Sequence, residues 1–370
     1  MKTVLIGIPC LMVGGTEMQT LRLAQALNEG GFQVVVCCYF EYKFEMVQAF
    51  QQLGCKVVCL SAYGRRPDHA RALRRFLKRG LARTVAEYQP DVAHVQYMSP
   101  GALPLWYLRR LGVKTLFATL HTTADIYPSL RLIRFLQKHW VKAFTCVSLT
   151  AEKSFFGSCR LYSADIKLAR HNHFTLYNCL PPKMPIRSRA VAQSLTIGSI
   201  IRFEEIKGAD LLLPAFALVL KEIPDAHLLL VGDGKLREKM ELQQQQLSIP
   251  PRHISWLGTL PHEKLPEQYA RMDMAWMPSR SEGFGLSALE AMSQGVPIVA
   301  SHIGGLSEII RDAKDGMLFP VGDLDALAHI TLSLWNDKAL MQSLADAGQK
   351  RAADFSYDSY KELVLNLYSK

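Results

Sequence analysis

Short apolar runs rich in β-branched residues alternate with longer stretches whose apolar positions recur at helical spacing, from one end of the chain to the other. In the first half this pattern predicts strands at 3–8, 33–38, 56–60, 91–95, 115–119 and 143–147, with helices such as 16–29 and 67–88 between them. In the second half it predicts strands at 195–200, 226–231, 253–256, 274–277 and 298–300, and helices at 209–222, 234–247, 286–294 and 324–335. Strands that alternate with helices imply βαβ units and parallel sheets. Unbroken runs such as HLLLVG fit strands buried on both faces.

Residues 179–189 carry three prolines and no periodicity, so they form the best linker candidate. They divide 370 residues into two halves of similar size. Each half is long enough for its own core. Apolar residues make up 49% and charged residues 21%, which excludes disorder and collagen-like repeats. The longest apolar stretch, 211–220, is about half of what a membrane-spanning helix needs. The start, MKTVLIGIPCLMVGG, reads as a strand and its loop rather than a signal segment, so the cytoplasm is the expected location.

Charge changes the picture more than composition does. Residues 1–190 hold 26 basic and 10 acidic residues, a net +16, whereas the remainder nets −6. The first half therefore faces something anionic: nucleic acid, a membrane surface or a phosphorylated acceptor. Much of the excess lies in 64–85, which holds eight basic residues and one acidic. Leu73, Phe76, Leu77, Leu81 and Val85 form an apolar stripe there, leaving Arg71, Arg74, Arg75, Lys78 and Arg79 outward. That face is either simply solvated or a contact with an anionic membrane or lipid-phosphate acceptor at the inner face of the cytoplasmic membrane. Nucleic acid is not expected, since no reading motif accompanies the charge. Eight cysteines, all in the first half, show no CxxC pair and no Cys/His spacing typical of zinc; they read as buried small hydrophobes in a reducing compartment. Gln243–Gln246 reads as part of a solvated helix.

Doubly wound sheets bind ligands where strands end and helices begin. Three such loops carry chemistry. Gly14 and Gly15 precede a helix start and serve either a tight turn or a close approach to an anion. Arg202 and Lys207 follow a strand, five residues apart, as a pair of solvated cations or as a joint grip on a phosphorylated ligand. In Ser279–Met292 the residues Gly283, Phe284, Gly285 and Leu286 sit at a strand-to-helix junction, between Glu282 and Glu290. Backbone N–H groups at that helix end suit phosphate, and a neighbouring carboxylate suits sugar hydroxyls.

The block SEGFGLSALEAMSQGVPIVAS, with Glu282 and Glu290 eight apart, resembles the signature of the retaining glycosyltransferases of family 4. GGTE, PDVAHVQ, TLHTT with His121, CVS, the Asn178 segment, RFEEIKG, LLLVGDG, WLGTL and FSYDSY resemble pieces of the same family in the same order. The resemblance implies the GT-B fold, two Rossmann-like doubly wound domains facing across a cleft. It implies an acceptor-binding domain at 1–182, a nucleotide-sugar-binding domain at 183–354, and a final helix, 355–370, that crosses back to the first. By the same resemblance Glu290 holds the ribose, Arg202 and Lys207 neutralise the diphosphate, and Gly285 and Leu286 supply backbone donors. Glu282 grips the donor sugar, Gly14 and Gly15 face the phosphate, and His121 lies by the reacting carbon or is only structural. The expected activity is metal-independent, retaining hexosyl transfer from a nucleoside-diphosphate sugar, UDP-sugars favoured, with no cofactor beyond that co-substrate. The expected acceptor is a glycan or lipid-linked saccharide of cell-envelope polysaccharide or lipopolysaccharide. A sugar-nucleotide epimerase of the same fold and a non-catalytic nucleotide-binding scaffold are the alternatives. The family often has Asn-Gly where this chain has Asn178-Cys179, a departure at the hinge rather than in the chemistry.

Overall fold

The continuous apolar runs become parallel strands because helices cover both of their faces. The computed structural model describes residues 1–97, 102–127, 129–185 and 194–370, so part of the proline-rich segment lies outside the described residues. The chain divides into two units, Met1–Cys179 with Tyr357–Lys370, and Leu180–Ser356.

The first unit contains β1 (Thr3–Ile8), β2 (Gln33–Cys38), β3 (Lys56–Cys59), β4 (Val92–Gln96), β5 (Thr115–Leu120), β6 (Ala143–Cys146) and β7 (His173–Thr175). They form one sheet in the order β3-β2-β1-β4-β5-β6-β7, and every pairing is parallel. Side chains alternate strictly between two cores. Val4, Ile6, Val34 and Val36 join one, while Leu5, Val35 and Cys37 join the other. The first core is closed by the helices Gly15–Glu29 and Tyr357–Ser369. They pack so closely that a Cβ on Gly30 would meet Leu365 at 2.2 Å. Lys361 Nζ reaches Glu29 at 2.8 Å and Tyr162 donates to Asn366 at 2.7 Å, so the last turn of chain is integral to this unit. The basic helix, Ala70–Tyr88, places Leu77 and Leu81 in the second core.

The second unit contains β8 (Thr196–Ile200), β9 (His227–Val231), β10 (Ile254–Trp256), β11 (Met274–Met277), β12 (Ile298–Ser301) and β13 (Met317–Phe319). Their order is β10-β9-β8-β11-β12-β13, again all parallel. Trp276 is fully buried and donates from its indole to Thr331 Oγ1 at 2.9 Å. The fold is thus two Rossmann-like domains, as the alternating pattern predicts.

Some expectations need correction. Cys159 is exposed and Cys10 and Cys59 are half-buried, because Cys159 lies in the loop after a helix that ends at Gly157; the other five are buried and none is in a disulfide. Gln244 is not solvated but buried, since it accepts from Trp256 Nε1 at 3.2 Å and donates to Ile249 O at 3.2 Å. The edge strands β7 and β13 and the helix Lys338–Ala353 are absent from the sequence reading. Among the described residues no helix is long and apolar enough to cross a membrane.

Candidate functional site

In the second sheet β8 is flanked by β9 on one side and β11 on the other. Chain connections diverge there, so the crevice beyond the ends of β8 and β11 is where an open α/β sheet takes a ligand. The loops that leave these two strands carry Arg202–Gly208 and Ser279–Gly285.

The two loops are tied together. Arg280 holds Asp210 with both terminal nitrogens, at 2.7 and 2.8 Å, and donates to Glu205 O at 2.7 Å. Its backbone N–H donates to Ile206 O at 2.9 Å. This fork keeps the Asp210 carboxyl below the usual range and raises the guanidinium. Gly208 has φ +67°, and a Cβ there would sit 1.9 Å from Pro278 O, so only glycine lets the loops approach. The result is that Lys207 Nζ lies 2.5 Å from Glu282 Oε2, with Ser279 Oγ 3.5 Å from the same oxygen. Arg202 is more exposed and pairs with Glu204 at 3.2 Å.

Gly285, at φ +107°, caps the helix Leu286–Ser293. An α-helix leaves its first N–H groups without partners inside the helix, which makes this end an anion seat. Phe284 is buried and meets Phe355 edge-on at 5.8 Å. A second glycine pair, Gly304-Gly305, lies against the backbone of 282–284: a Cβ on Gly305 would meet Phe284 Cα at 2.5 Å. One turn into the helix, Glu290 is buried. Its Oε1 takes His262 Nε2 at 2.9 Å and its Oε2 takes Tyr269 OH at 3.1 Å. Burial and the Glu290 charge push the Tyr269 phenol far up, so it is a fixed donor. The carboxylate is therefore oriented before any ligand arrives. Arg280, His262, Tyr269, Gly304 and Gly305 are absent from the sequence reading.

Gly14, Gly15 and His121 belong to the first unit. Gly14 is extended (φ −166°) and precedes the helix Gly15–Glu29. A Cβ on it would lie 2.7 Å from Glu17 Oε2, and Glu17 is itself buried. His121 follows β5, is buried, and pairs through Nε2 with Gln96 Oε1 at 2.8 Å. Burial pushes it down to about 3, so the ring is neutral. Tyr97 stacks on it at 6.0 Å and holds φ +70°, an uncommon left-handed conformation for tyrosine. Behind His121 a cavity of about 20 Å³, lined by His94, Gln96, Thr119, Asn178 and Tyr368, has room for one water.

Comparison with known proteins decides the family. The profile described as glycosyl transferases group 1 matches residues 185–351, and that described as glycosyl transferase 4-like domain matches 14–154. O-antigen chain mannosyltransferase B of Escherichia coli is 30% identical across 68% of this chain and 68% of its own. The chain belongs to the group 1, family 4-like glycosyltransferases. N-acetyl-alpha-D-glucosaminyl L-malate synthase of Bacillus anthracis is 26% identical across 98% of this chain and 95% of its own. The match to D-inositol 3-phosphate glycosyltransferase of Corynebacterium urealyticum is 32% identical but spans only 46% of this chain and 42% of that protein. Among solved structures, Anabaena HepE in complex with UDP and glucose superposes over the whole of both chains with a TM-score of 0.80 at 19% identity, which shows the GT-B fold.

Two further features of this glycosyltransferase bear on its chemistry. The metal-independent expectation takes the chain to lack an Asp-x-Asp triplet, a pattern that can hold a metal, and that is incorrect: Asp323-Leu324-Asp325 is one. Here Asp323 caps the helix Leu324–Asn336, accepting from Ala326 N at 2.9 Å, while Asp325 is exposed in the first turn. On the basic helix Arg71, Arg74, Arg75, Lys78 and Arg79 are all exposed, while Leu77 and Leu81 are fully buried beneath them.

Proposed function

We propose that the enzyme is a retaining hexosyltransferase that needs no metal, takes its sugar from a nucleoside diphosphate, UDP-sugars favoured, and delivers it to a saccharide or lipid-linked acceptor of cell-envelope polysaccharide or lipopolysaccharide. The observation that carries this reading is the grouping of Lys207, Glu282, the N-terminus of Leu286–Ser293 and Glu290 around the switch point of one sheet. The names of the similar proteins agree with it: an O-antigen mannosyltransferase, and a protein that binds UDP and glucose.

Breaking the bond between sugar and phosphate develops negative charge on the diphosphate and positive charge on the sugar. Lys207, Arg202 and the free N–H groups after Gly285 stabilise that leaving group, which is the work a metal does elsewhere. Glu290, fixed by Tyr269, accepts from the ribose hydroxyls. Glu282 accepts from hydroxyls of the donor sugar and balances the growing positive charge. Segment 256–260 meets the base. Gly14 and Gly15 approach the phosphate, and neutral His121 donates to or accepts from the reacting sugar without adding charge. The acceptor binds on the first unit, and its basic helix rests on an anionic membrane surface or meets an acceptor phosphate.

The test is a thermal-shift screen in EDTA against UDP, GDP and ADP and their sugars, followed by NMR of the product. A UDP-sugar raises the melting temperature by mass action, the shift disappears in Lys207→Ala, and an α-donor yields an α-linked product. An inverted product, or turnover only with added divalent cation, overturns the mechanism. No response to any nucleotide from folded protein overturns the activity.

A further inference from the structure

Outside the transfer site, one cluster in the first unit has a composition that the reaction does not use. Glu152 lies in the helix Leu149–Phe156, and His171 and His173 approach and open β7. One donor atom from each of the three lies within 4.8 Å of the others. His-x-His spacing puts two imidazoles on one side of extended chain, and the two rings here are 4.3 Å apart.

Glu152 is fully buried. Its Oε1 meets His173 Nδ1 at 2.7 Å, while its Oε2 accepts from Arg160 N at 3.0 Å and Thr175 Oγ1 at 2.8 Å. A carboxylate with one oxygen anchored by outer hydrogen bonds and the other turned toward imidazoles is arranged as metal-ligating carboxylates are. Phe156 stacks on His173 at 4.5 Å and fixes its plane. An ion pair between Glu152 and His173 would explain those two residues alone. It leaves His171 Nε2, a buried atom with no hydrogen-bond partner, without a reason.

We propose that Glu152, His171 and His173 form a site for a divalent transition-metal cation, with Zn²⁺ as the fitting ion, that clips β7 to the helix Leu149–Phe156. A His₂Glu set is a recognised zinc donor set, with ligands at about 2.0–2.2 Å and a fourth position for water. Tetrahedral donors then stand about 3.3 Å apart, so the site is completed when the His171 ring turns inward from a spread of up to 4.8 Å and Glu152 Oε1 and His173 Nδ1, 2.7 Å apart without metal, ease open. β7 leads directly into Asn178, which lines the cavity behind His121. The clip would hold that wall in place without touching substrate.

The experiment uses tag-free full-length protein, dialysed against EDTA and then titrated with Zn²⁺. Calorimetry gives the affinity, elemental analysis after gel filtration the stoichiometry, and melting temperature the linkage. Wild type and His139→Ala, which removes an exposed histidine, should each retain one Zn²⁺ per chain and melt higher with it. His171→Ala, which removes the unpartnered Nε2 together with a ring bond to the His173 backbone, and His171→Gln, which keeps a polar side chain there, should each bind Zn²⁺ more weakly by more than the roughly 10–100-fold that loss of an outer-shell partner costs, with the metal-free melting temperature of each reported beside it. Absence of retained Zn²⁺ in wild type, or equal affinity in His171→Ala, overturns the site. None of these readouts involves a sugar nucleotide, so the result is independent of the transfer reading.

Discussion

Replacing Glu282 by glutamine should separate nucleotide binding from sugar transfer. Lys207 Nζ lies 2.5 Å from Glu282 Oε2, and the two side chains are 19% and 14% exposed. A fully exposed pair contributes at most about 1 kcal/mol, and loss of a partner from a buried pair costs about 3–5 kcal/mol. At this intermediate burial the hold of Glu282 on Lys207 amounts to about 1–2 kcal/mol. A diphosphate arriving at Lys207 competes with that hold and also meets the charge of Glu282. Glutamine keeps the shape and removes both obstacles. Free UDP should therefore bind Glu282→Gln about 5- to 30-fold more tightly than wild type, at about 1.4 kcal/mol per tenfold.

Turnover should move the other way. Bonds from a carboxylate to a hydroxyl are roughly twice as strong as neutral ones, and removing one preorganised group aimed at transition-state charge costs about 10²–10³ in kcat. The assay is calorimetry with UDP in EDTA, beside initial rates of sugar release, on wild type, Glu282→Gln and Lys207→Met. Lys207→Met should lose both UDP affinity and kcat/KM. If Glu282→Gln loses UDP affinity as far as Lys207→Met does, the two residues act as one binding unit and the reasoning fails. If it transfers sugar at the wild-type rate, Glu282 has no part in the reaction.

Acid should destabilise the first unit through two buried histidines, His94 and His121, both pushed down to about 3. Their folded values lie below the unfolded 6.5, so the unfolded chain binds more protons throughout that window; stability is full above pH 6.5 and is lost as pH falls. Each should contribute on the order of 2 kcal/mol of loss between pH 6.5 and 5. Urea midpoints should fall over that interval in wild type and fall less in His121→Gln, and a flat profile refutes the burial argument. Changing Arg71, Arg74, Arg75, Lys78 and Arg79 to glutamine should weaken binding to phosphatidylserine vesicles on the order of 10³–10⁴-fold at low salt, at about 1 kcal/mol per charge, and unchanged vesicle binding removes the membrane role.

Strands such as β2 were legible because a parallel strand buried on both faces reads as an apolar run, whereas β4 is interrupted by His94 and Gln96, which line the cavity. Val34, Val35, Val36 and Cys37 feed opposite cores in turn, so no position could be polar. The elements that escaped are those where this logic weakens. β7 and β13 are three-residue strands at the edges of their sheets. The helix Lys338–Ala353 buries few positions and spreads its alanines around its circumference, so its stripe is faint.

The site divides along the same line. Residues whose role follows from local geometry could be found: a glycine that caps a helix, a cation after a strand, two carboxylates that flank a helix start. Residues whose role follows from sheet order could not. Arg280 acts through Asp210, 70 positions away, and Tyr269 and His262 act on Glu290 from 21 and 28 positions away. Those partners meet because β11 inserts beside β8, and nothing local in the sequence encodes that neighbour. The Gly304-Gly305 pair is the instructive exception. It was as visible as Gly14-Gly15, and it too follows a strand, β12. Its purpose shows only when the backbone of 282–284 is seen lying across it. A glycine pair at a strand end therefore marks where something must come close, and the fold decides whether that is a ligand or another loop of the same site.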